Sequence, residues 1–397
     1  MAEQALLMLD DGTCFEGEAC GAAGETLGET VFVTGMAGYQ ESITDPSYYG
    51  QIMVFTAAHL GNYGASPLDD EAPKPLAAGV VFHDLFRQGG NELFPHWRAV
   101  ESLDAMLKRN GVTGITNVDT RSLALHLRDH GSRNGIISAL DRDRASLLRK
   151  ARLWPSMQGR DLACEAGAGP VRDYTPTEDG LPVPDLHAVL IDYGAKRSIA
   201  VRLARQGMKV TIMPATARAD EVLALRPDGV LLSNGPGDPE PCSYAVECIR
   251  GLLGRLPIFG ICLGHQLLGL ALGGRTYKLP FGHHGVNHPV LDRGSGRVEI
   301  TSQNHGFCVD PDSLPPEAEA SHVNLNDGTL EGLRLKDKPV FSVQFHPEAT
   351  PGTHDAGGLF ARFRAMIQEH KGRASAPPCP PEPCREEPGR GLGAVLR

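Results

Sequence analysis

One stretch constrains this chain more than any other: Leu256-Pro257-Ile258-Phe259-Gly260-Ile261-Cys262-Leu263-Gly264-His265-Gln266. A short apolar run enters Gly260-x-Cys262-x-Gly264, and Leu267, Leu268, Leu270, Ala271 and Leu272 follow with helical character. This is the pattern of a nucleophile elbow, a strand turning sharply into a helix, with Cys where hydrolases usually carry Ser. The flanking glycines let strand and helix approach while the nucleophile takes a strained backbone conformation. At the helix N-terminus, the dipole and the free N–H groups favour a thiolate over a thiol at Cys262. A buried Cys packing as a small hydrophobe would satisfy the same short motif, so the distal residues decide between the two.

The 397 residues exceed one usual core and indicate two domains. With 41% hydrophobic and 22% charged residues, the composition is that of a globular protein. A net charge of -10 excludes a broad basic surface for nucleic acid or anionic membrane. No apolar run approaches the ~20 residues of a membrane span. Met-Ala-Glu-Gln at the start carries no basic region and reads as lacking a signal peptide. Nine scattered Cys fit reduced thiols in the cytoplasm.

Residues 1–150 read as a smaller mixed α/β domain, with strands at 5–9, 30–34 and 52–56 and helices at 100–109 and 120–129. The polar segment 38–48, with Asp45-Pro46-Ser47, reads as a loop. Residues 151–186 form a connecting segment whose second half, 167–185, is a linker rich in Gly, Pro and Thr. From 187 to 371, apolar strands at 187–192, 209–214, 229–233 and 340–344 alternate with helices at 196–206 and 220–225. That alternation gives a doubly wound, mostly parallel sheet covered on both faces, and the elbow continues it. Residues 372–397 are Pro-rich and read as a disordered tail; Cys379 and Cys384 within it lack the partners of a metal site.

A Cys nucleophile needs a base and a group to orient it. Phe341-Ser342-Val343-Gln344-Phe345-His346-Pro347-Glu348 supplies both at a strand end, with Glu348 two residues beyond His346 to hold one tautomer. An acyl intermediate also needs oxyanion donors. The amide after the nucleophile, Leu263, is one. The turn Ser233-Asn234-Gly235-Pro236-Gly237-Asp238-Pro239 ends the preceding strand at the same sheet edge, where ligands bind in open α/β folds.

Together these motifs resemble the class I (triad-type) glutamine amidotransferases. The likeness extends to Phe281-Gly282-His283-His284-Gly285-x-Asn287-His288-Pro289 and Gln303-Asn304-His305-Gly306-Phe307. In the first domain it covers 38–48, His59-x-Gly61-Asn62-Tyr63-Gly64 and Asp119-Thr120-Arg121. Over about residues 5–370 the chain is similar to the small, glutamine-hydrolysing subunits of carbamoyl-phosphate synthetases. Thr56-Ala57-Ala58-His59 departs from the Tyr-Pro pair usual before that His. The resemblance implies a triad of Cys262, His346 and Glu348 and an oxyanion hole at Gly235 and Leu263. L-glutamine would be held by Ser47, Gly235, Gly237, Leu263, Gln266, Asn304, Gly306 and Phe307. It further implies no metal and no cofactor on this chain, with the His block 283–288 structural or near substrate. The implied partner is a large synthetase subunit that uses ATP and Mg, receives ammonia through a tunnel, and makes carbamoyl phosphate for arginine and pyrimidine synthesis. Elbow and triad alone leave a stand-alone Cys hydrolase of γ-glutamyl compounds open, which gives no reason for the first domain. A silent scaffolding subunit is the other alternative, and an intact triad speaks against it.

Overall fold

The computed structural model describes residues 3–87, 96–176, 178 and 180–375. Among them, seven short strands close into an N-terminal barrel: β1 (Gln4–Leu9), β2 (Cys14–Gly21), β3 (Glu25–Val33), β4 (Gln51–Phe55), β5 (Gly79–Val81), β6 (Thr113–Thr116) and β7 (Arg133–Ser138). Their order is β1-β2-β6-β5-β4-β3-β7, with β3 through β6 paired in parallel and the remaining contacts antiparallel. Alternation along each strand fills the interior with Leu7, Leu9, Ile52, Val54, Ile115 and Ile137. Closure leaves no sheet edge, so strands of three to nine residues suffice.

Around the barrel lie α1 (Tyr39–Thr44), α2 (Leu103–Arg109), α3 (Thr120–His130) and α4 (Arg144–Leu153). α2 starts later than the pattern implied because Ser102 caps it, accepting from the Ala105 amide at 3.1 Å. α3 is capped by Asp119, which accepts from Ser122 at 2.9 Å, and ends before Gly131 at φ 85°. Two expectations need correction here. Residues 38–48 are no open loop: α1 and a 3₁₀ turn at Pro46–Tyr48 bury nearly every residue there. α4 runs through residue 150 and packs against Met8 and Ile136, so the expected break falls inside a helix.

Ten described strands build the second sheet: β8 (Arg172–Asp173), β9 (Leu186–Asp192), β10 (Met208–Pro214), β11 (Gly229–Leu232), β12 (Ile258–Ile261), β13 (Thr276–Asp292), β14 (Val298–Val309), β15 (Ala318–Asn324), β16 (Leu330–Leu335) and β17 (Val340–Val343). The order is β14-β13-β15-β16-β17-β12-β11-β9-β10-β8. β17, β12, β11, β9 and β10 run parallel; the β13–β16 arm and β8 are antiparallel additions. Thus part of the expected linker is an edge strand, β8, hydrogen-bonded to β10. The helices are α5 (Ala163–Ala166), α6 (Arg197–Arg205), α7 (Ala219–Ala224), α8 (Ser243–Leu252), α9 (Leu263–Ala271) and α10 (Gly358–Ser375). α10 extends past residue 372; Cys379 and Cys384 lie outside the described residues. No described helix is long and apolar enough to cross a membrane.

Successive strand residues serve opposite faces of this sheet. Val189, Ile191, Val230, Leu232 and Ile258 join one core, and Leu190, Leu231, Phe259 and Phe341 the other. Phe259 stacks on Phe341 at 4.4 Å and meets Phe360 and Phe363 at 5.8 and 5.7 Å. It lies directly before the elbow, so packing here sets where the elbow stands. Phe259→Ala should cost about 3–5 kcal/mol of stability, read as a lower urea midpoint by circular dichroism.

Candidate active site

Cys262 sits between β12 and α9 with φ 53° and ψ -104°, a conformation a non-glycine residue rarely adopts. Its amide donates to the Val343 carbonyl at 2.9 Å, and its carbonyl accepts from His265 and Gln266 at 3.0 and 3.1 Å. The flanking glycines are obligatory for a steric reason. A Cβ on Gly264 would come within 2.3 Å of the Leu232 carbonyl, and one on Gly260 within 2.8 Å of the Gly264 carbonyl. Leu263, the first residue of α9, presents an N–H that no earlier helical carbonyl can accept. Gly235 approaches it closely: a Cβ there would lie 2.8 Å from Leu263 Cδ2 and 2.2 Å from the Tyr193 carbonyl.

His346 follows β17, and its Nδ1 and Glu348 Oε1 stand 2.6 Å apart. The same Oε1 accepts from Lys196 Nζ at 2.8 Å, with all three side chains buried. Burial alone would lower the His346 pKa, but the Glu348 carboxylate and the Cys262 sulfur outweigh it and raise it to about 10. Burial likewise opposes ionisation of Glu348, and Lys196 with His346 overcomes it, holding the carboxyl well below the usual range. His346 Nε2 is buried and closes no hydrogen bond of ordinary geometry with a described group, which leaves it available toward the cleft.

Ser47, Gly235, Gly237, Cys262, Gln266, Asn304, Gly306 and Phe307 line one narrow cleft. Asn304 and Cys262 are neighbours, with the sulfur 3.5 Å from the Asn304 carbonyl. Gln266 Nε2 donates to the Phe307 carbonyl at 2.7 Å and to Gln344 Oε1 at 3.1 Å, so that amide braces the wall. Ser47 Oγ accepts from Asn234 Nδ2 at 2.9 Å, which leaves the hydroxyl hydrogen free to donate.

Three positioning groups escaped the sequence reading. Lys196 looked like an ordinary helix N-terminal lysine, and only the fold brings it to Glu348. Asp45 ties the domains together, accepting from the Ser47 amide at 2.9 Å and from Asn304 Nδ2 at 2.8 Å. Asn234 Oδ1 accepts from the Lys196 amide at 3.1 Å, linking Lys196 to Ser47. His305, which also lines the cleft, has both ring nitrogens engaged, with the Phe307 carbonyl at 2.9 Å and Gln303 Oε1 at 3.1 Å. The His block has carboxylate neighbours that its sequence did not reveal. His283 Nε2 lies 2.8 Å from Asp327, and Nδ1 lies 3.7 Å from Glu331. Glu331 and His305 also bring possible ligand atoms within 4.8 Å of those of His283. Burial disfavours a charged His283, but Glu331 and Asp327 reverse this and raise its pKa. A histidine paired with two carboxylates accounts for the cluster.

A Cys elbow, a His–Glu pair and a glycine turn at the carboxyl edge of a parallel sheet define a class I glutamine amidotransferase module. Residues 189–366 match the family model for Glutamine amidotransferase class-I, and residues 7–137 match the model for the carbamoyl-phosphate synthase small chain, CPSase domain. Proteins named carbamoyl phosphate synthase small chain are similar over nearly the whole chain. The one from Syntrophotalea carbinolica is 49% identical, covering 93% of this chain and 99% of its own. Those of Thioalkalivibrio sulfidiphilus and Pseudomonas aeruginosa are 50% and 47% identical, covering 92% and 94% of this chain and 97% and 100% of theirs. The chain belongs to the carbamoyl phosphate synthase small chain family.

The Lys196–Glu348 pair yields a signed expectation. Glu348 has a folded pKa below its unfolded value, so its stabilisation is present above about pH 4.5 and fades as the pH falls below that. Lys196→Met should lower the unfolding free energy at pH 7 by roughly 3–5 kcal/mol. In urea titrations at several pH values, that deficit should narrow below about pH 4.5.

Proposed function

We propose that this chain is the glutamine-hydrolysing subunit of a carbamoyl-phosphate synthetase, working in the cytoplasm beside a large ATP-dependent subunit. The observation that carries this reading is the meeting of two domains in one cleft. Ser47 from the barrel domain and Cys262 from the sheet domain line the same space, and Asp45 of the barrel holds Asn304 beside the sulfur. A stand-alone hydrolase would not need the first domain to complete its site.

With His346 held as the imidazolium, the Cys262 sulfur attacks the side-chain amide carbon of glutamine as the thiolate. The oxyanion rests on the amides of Leu263 and Gly235. The His346 imidazolium gives its proton to the departing nitrogen, the C–N bond breaks, and a γ-glutamyl thioester and ammonia form. Now neutral, His346 deprotonates a water that attacks the thioester, and the sulfur departs as thiolate, releasing glutamate and restoring the thiolate–imidazolium pair. Glu348 holds the imidazole in one orientation throughout, and Lys196 holds Glu348. Ser47, Gln266, Gly237, Asn304, Gly306 and Phe307 position the substrate.

A second, smaller cavity shares Asn304 with the cleft and is lined by His346, Lys196, Asp45, Tyr48 and Val33. It supports an inward exit for ammonia, which bulk water would protonate and deactivate. The ammonia passes to the large subunit, which uses ATP, Mg and bicarbonate to make carbamoyl phosphate for arginine and pyrimidine synthesis. No step drawn here uses a metal or cofactor on this chain, so a chelator should leave glutamine hydrolysis by the isolated chain unchanged.

Cys262→Ser tests the reading directly. In complex with the large subunit it should release no glutamate from glutamine, yet synthesis from free ammonia should persist. Glutamate release near the normal rate would remove Cys262 from the mechanism. Ser47→Ala removes one neutral hydrogen bond, worth about 0.5–1.5 kcal/mol net. The KM for glutamine should therefore rise several-fold with little change in kcat; an unchanged KM would confine the barrel domain to docking.

A further inference from the structure

One wall residue of the cleft has no part in the mechanism above. Glu29, on β3, is 6% exposed and lines the same space as Cys262. Its Oε2 accepts from Gln51 Nε2 at 3.0 Å, and its Oε1 pairs with Lys278 Nζ across the domain interface. A carboxylate has about four acceptor sites, so these two partners fix it in place and leave capacity for a third donor.

The charge inventory of the cleft singles Glu29 out. Ser47, Gln51, Gln266, Asn304, the glycines, Met157 and Phe307 are neutral. Burial holds His284 at about 4 and His305 well below the ordinary imidazole range, so both are uncharged at pH 7. Besides the nucleophile, Glu29 is the one described lining residue with a formal charge. Glutamine brings a cationic α-ammonium, and a cation placed in a buried site without an anion would be costly.

The length of glutamine is compatible with this placement, since Glu29 and the sulfur border the same space. Asn304 stands beside the Cys262 sulfur, while Phe307 pairs with Lys278 in the β13–β14 ladder. Three residues of strand separate them, roughly 10 Å at about 3.3 Å per residue. A glutamine with its amide carbon about 3–3.5 Å from the sulfur places its α-nitrogen four bonds further on. With bonds of about 1.5 Å, that adds roughly 5 Å, and a hydrogen bond of about 2.8 Å closes the span.

We infer that Glu29 reads the α-ammonium of glutamine and makes the cleft selective for amides bearing a free α-amino group. The inference rests on the proposed reading of Cys262 as the nucleophile toward glutamine. Gln51 and Lys278 are then positioning residues that hold the carboxylate toward the substrate.

The test compares L-glutamine with glutaramic acid, which has hydrogen in place of the α-ammonium, by ammonia release from the complex with the large subunit. Wild type should hydrolyse glutamine and discriminate strongly against glutaramic acid. Wild type failing on glutamine itself would defeat the proposed function and leave the role of Glu29 a separate matter. Glu29→Gln should lower kcat/KM for glutamine roughly 10- to 100-fold, the worth of a charged hydrogen bond, mainly through KM. Its rate with glutaramic acid should stay close to wild type, so the discrimination collapses. Because Glu29→Gln strands the Lys278 ammonium, Glu29→Gln/Lys278→Met is measured in parallel and should show the same collapse. Lys278→Met alone loosens the carboxylate but keeps it beside Gln51, so its discrimination should fall between wild type and the double variant. Equal losses on both substrates, or discrimination preserved in the double variant, would reduce Glu29 to a structural ion pair and overturn the inference.

Discussion

Everything at this site hangs on one buried carboxylate. Glu348 is fully enclosed, and an isolated carboxylate there would take up a proton and lose its hold on His346. Lys196 prevents that from one side and the His346 imidazole from the other, both meeting the same oxygen. The array is a charge-balanced chain in which each member keeps the next in the form it needs. Removing any link would leave an uncompensated charge among apolar neighbours such as Phe345 and Ile199.

That chain also explains why the barrel cannot be a loosely tethered module. The Lys196 amide is fixed by Asn234, and Asn234 grips Ser47 from the barrel. One residue further along, the Arg197 amide donates to the Glu71 carbonyl at 2.8 Å and the Ser198 amide to the Glu71 carboxylate at 3.0 Å. On the opposite side, the Thr34 amide meets the His284 carbonyl at 3.0 Å and Ser132 meets that of Pro280 at 2.7 Å. Hydrogen bonds of this kind demand fixed geometry and lose their value within a few tenths of an ångström. The interface therefore holds the positions of Ser47, Asp45 and Glu29 relative to the sulfur.

The parallel half of the sheet was legible in the sequence because its strands are continuous apolar runs between amphipathic helices. The proposed triad was legible because Gly-x-Cys-x-Gly and His-Pro-Glu are local signatures. The antiparallel arm was not: Thr276–Asp292 and Val298–Val309 mix His, Asn, Gly and Thr with few apolar residues, since they line a cleft. Helix α1 was missed for a related reason. Its residues Gln40, Ser42 and Thr44 are polar yet buried, satisfied by partners such as the Ser66 carbonyl and the Gln40 carbonyl. Lys196 defeats sequence reading outright, because a buried lysine is recognisable only by the partner the fold supplies. The family motifs indicated that Ser47 belongs to the site, whereas the reason it reaches there, Asn234 and Asp45, needed coordinates.

The elbow shows how such a site is sustained. A non-glycine residue at φ 53° and ψ -104° costs on the order of 1–3 kcal/mol. That cost is distributed over contacts that would each be lost if Cys262 relaxed. Its amide would leave Val343 and its carbonyl the first turn of α9, and the Gly264 amide would leave the Ser233 carbonyl at 3.0 Å. The last of these bonds runs to the turn that carries Gly235. Relaxation of Cys262 would thus disturb the placement of Gly235 together with the helix start. Strain at the sulfur and alignment of the donors are therefore one property, maintained by the close approach that Gly260 and Gly264 allow.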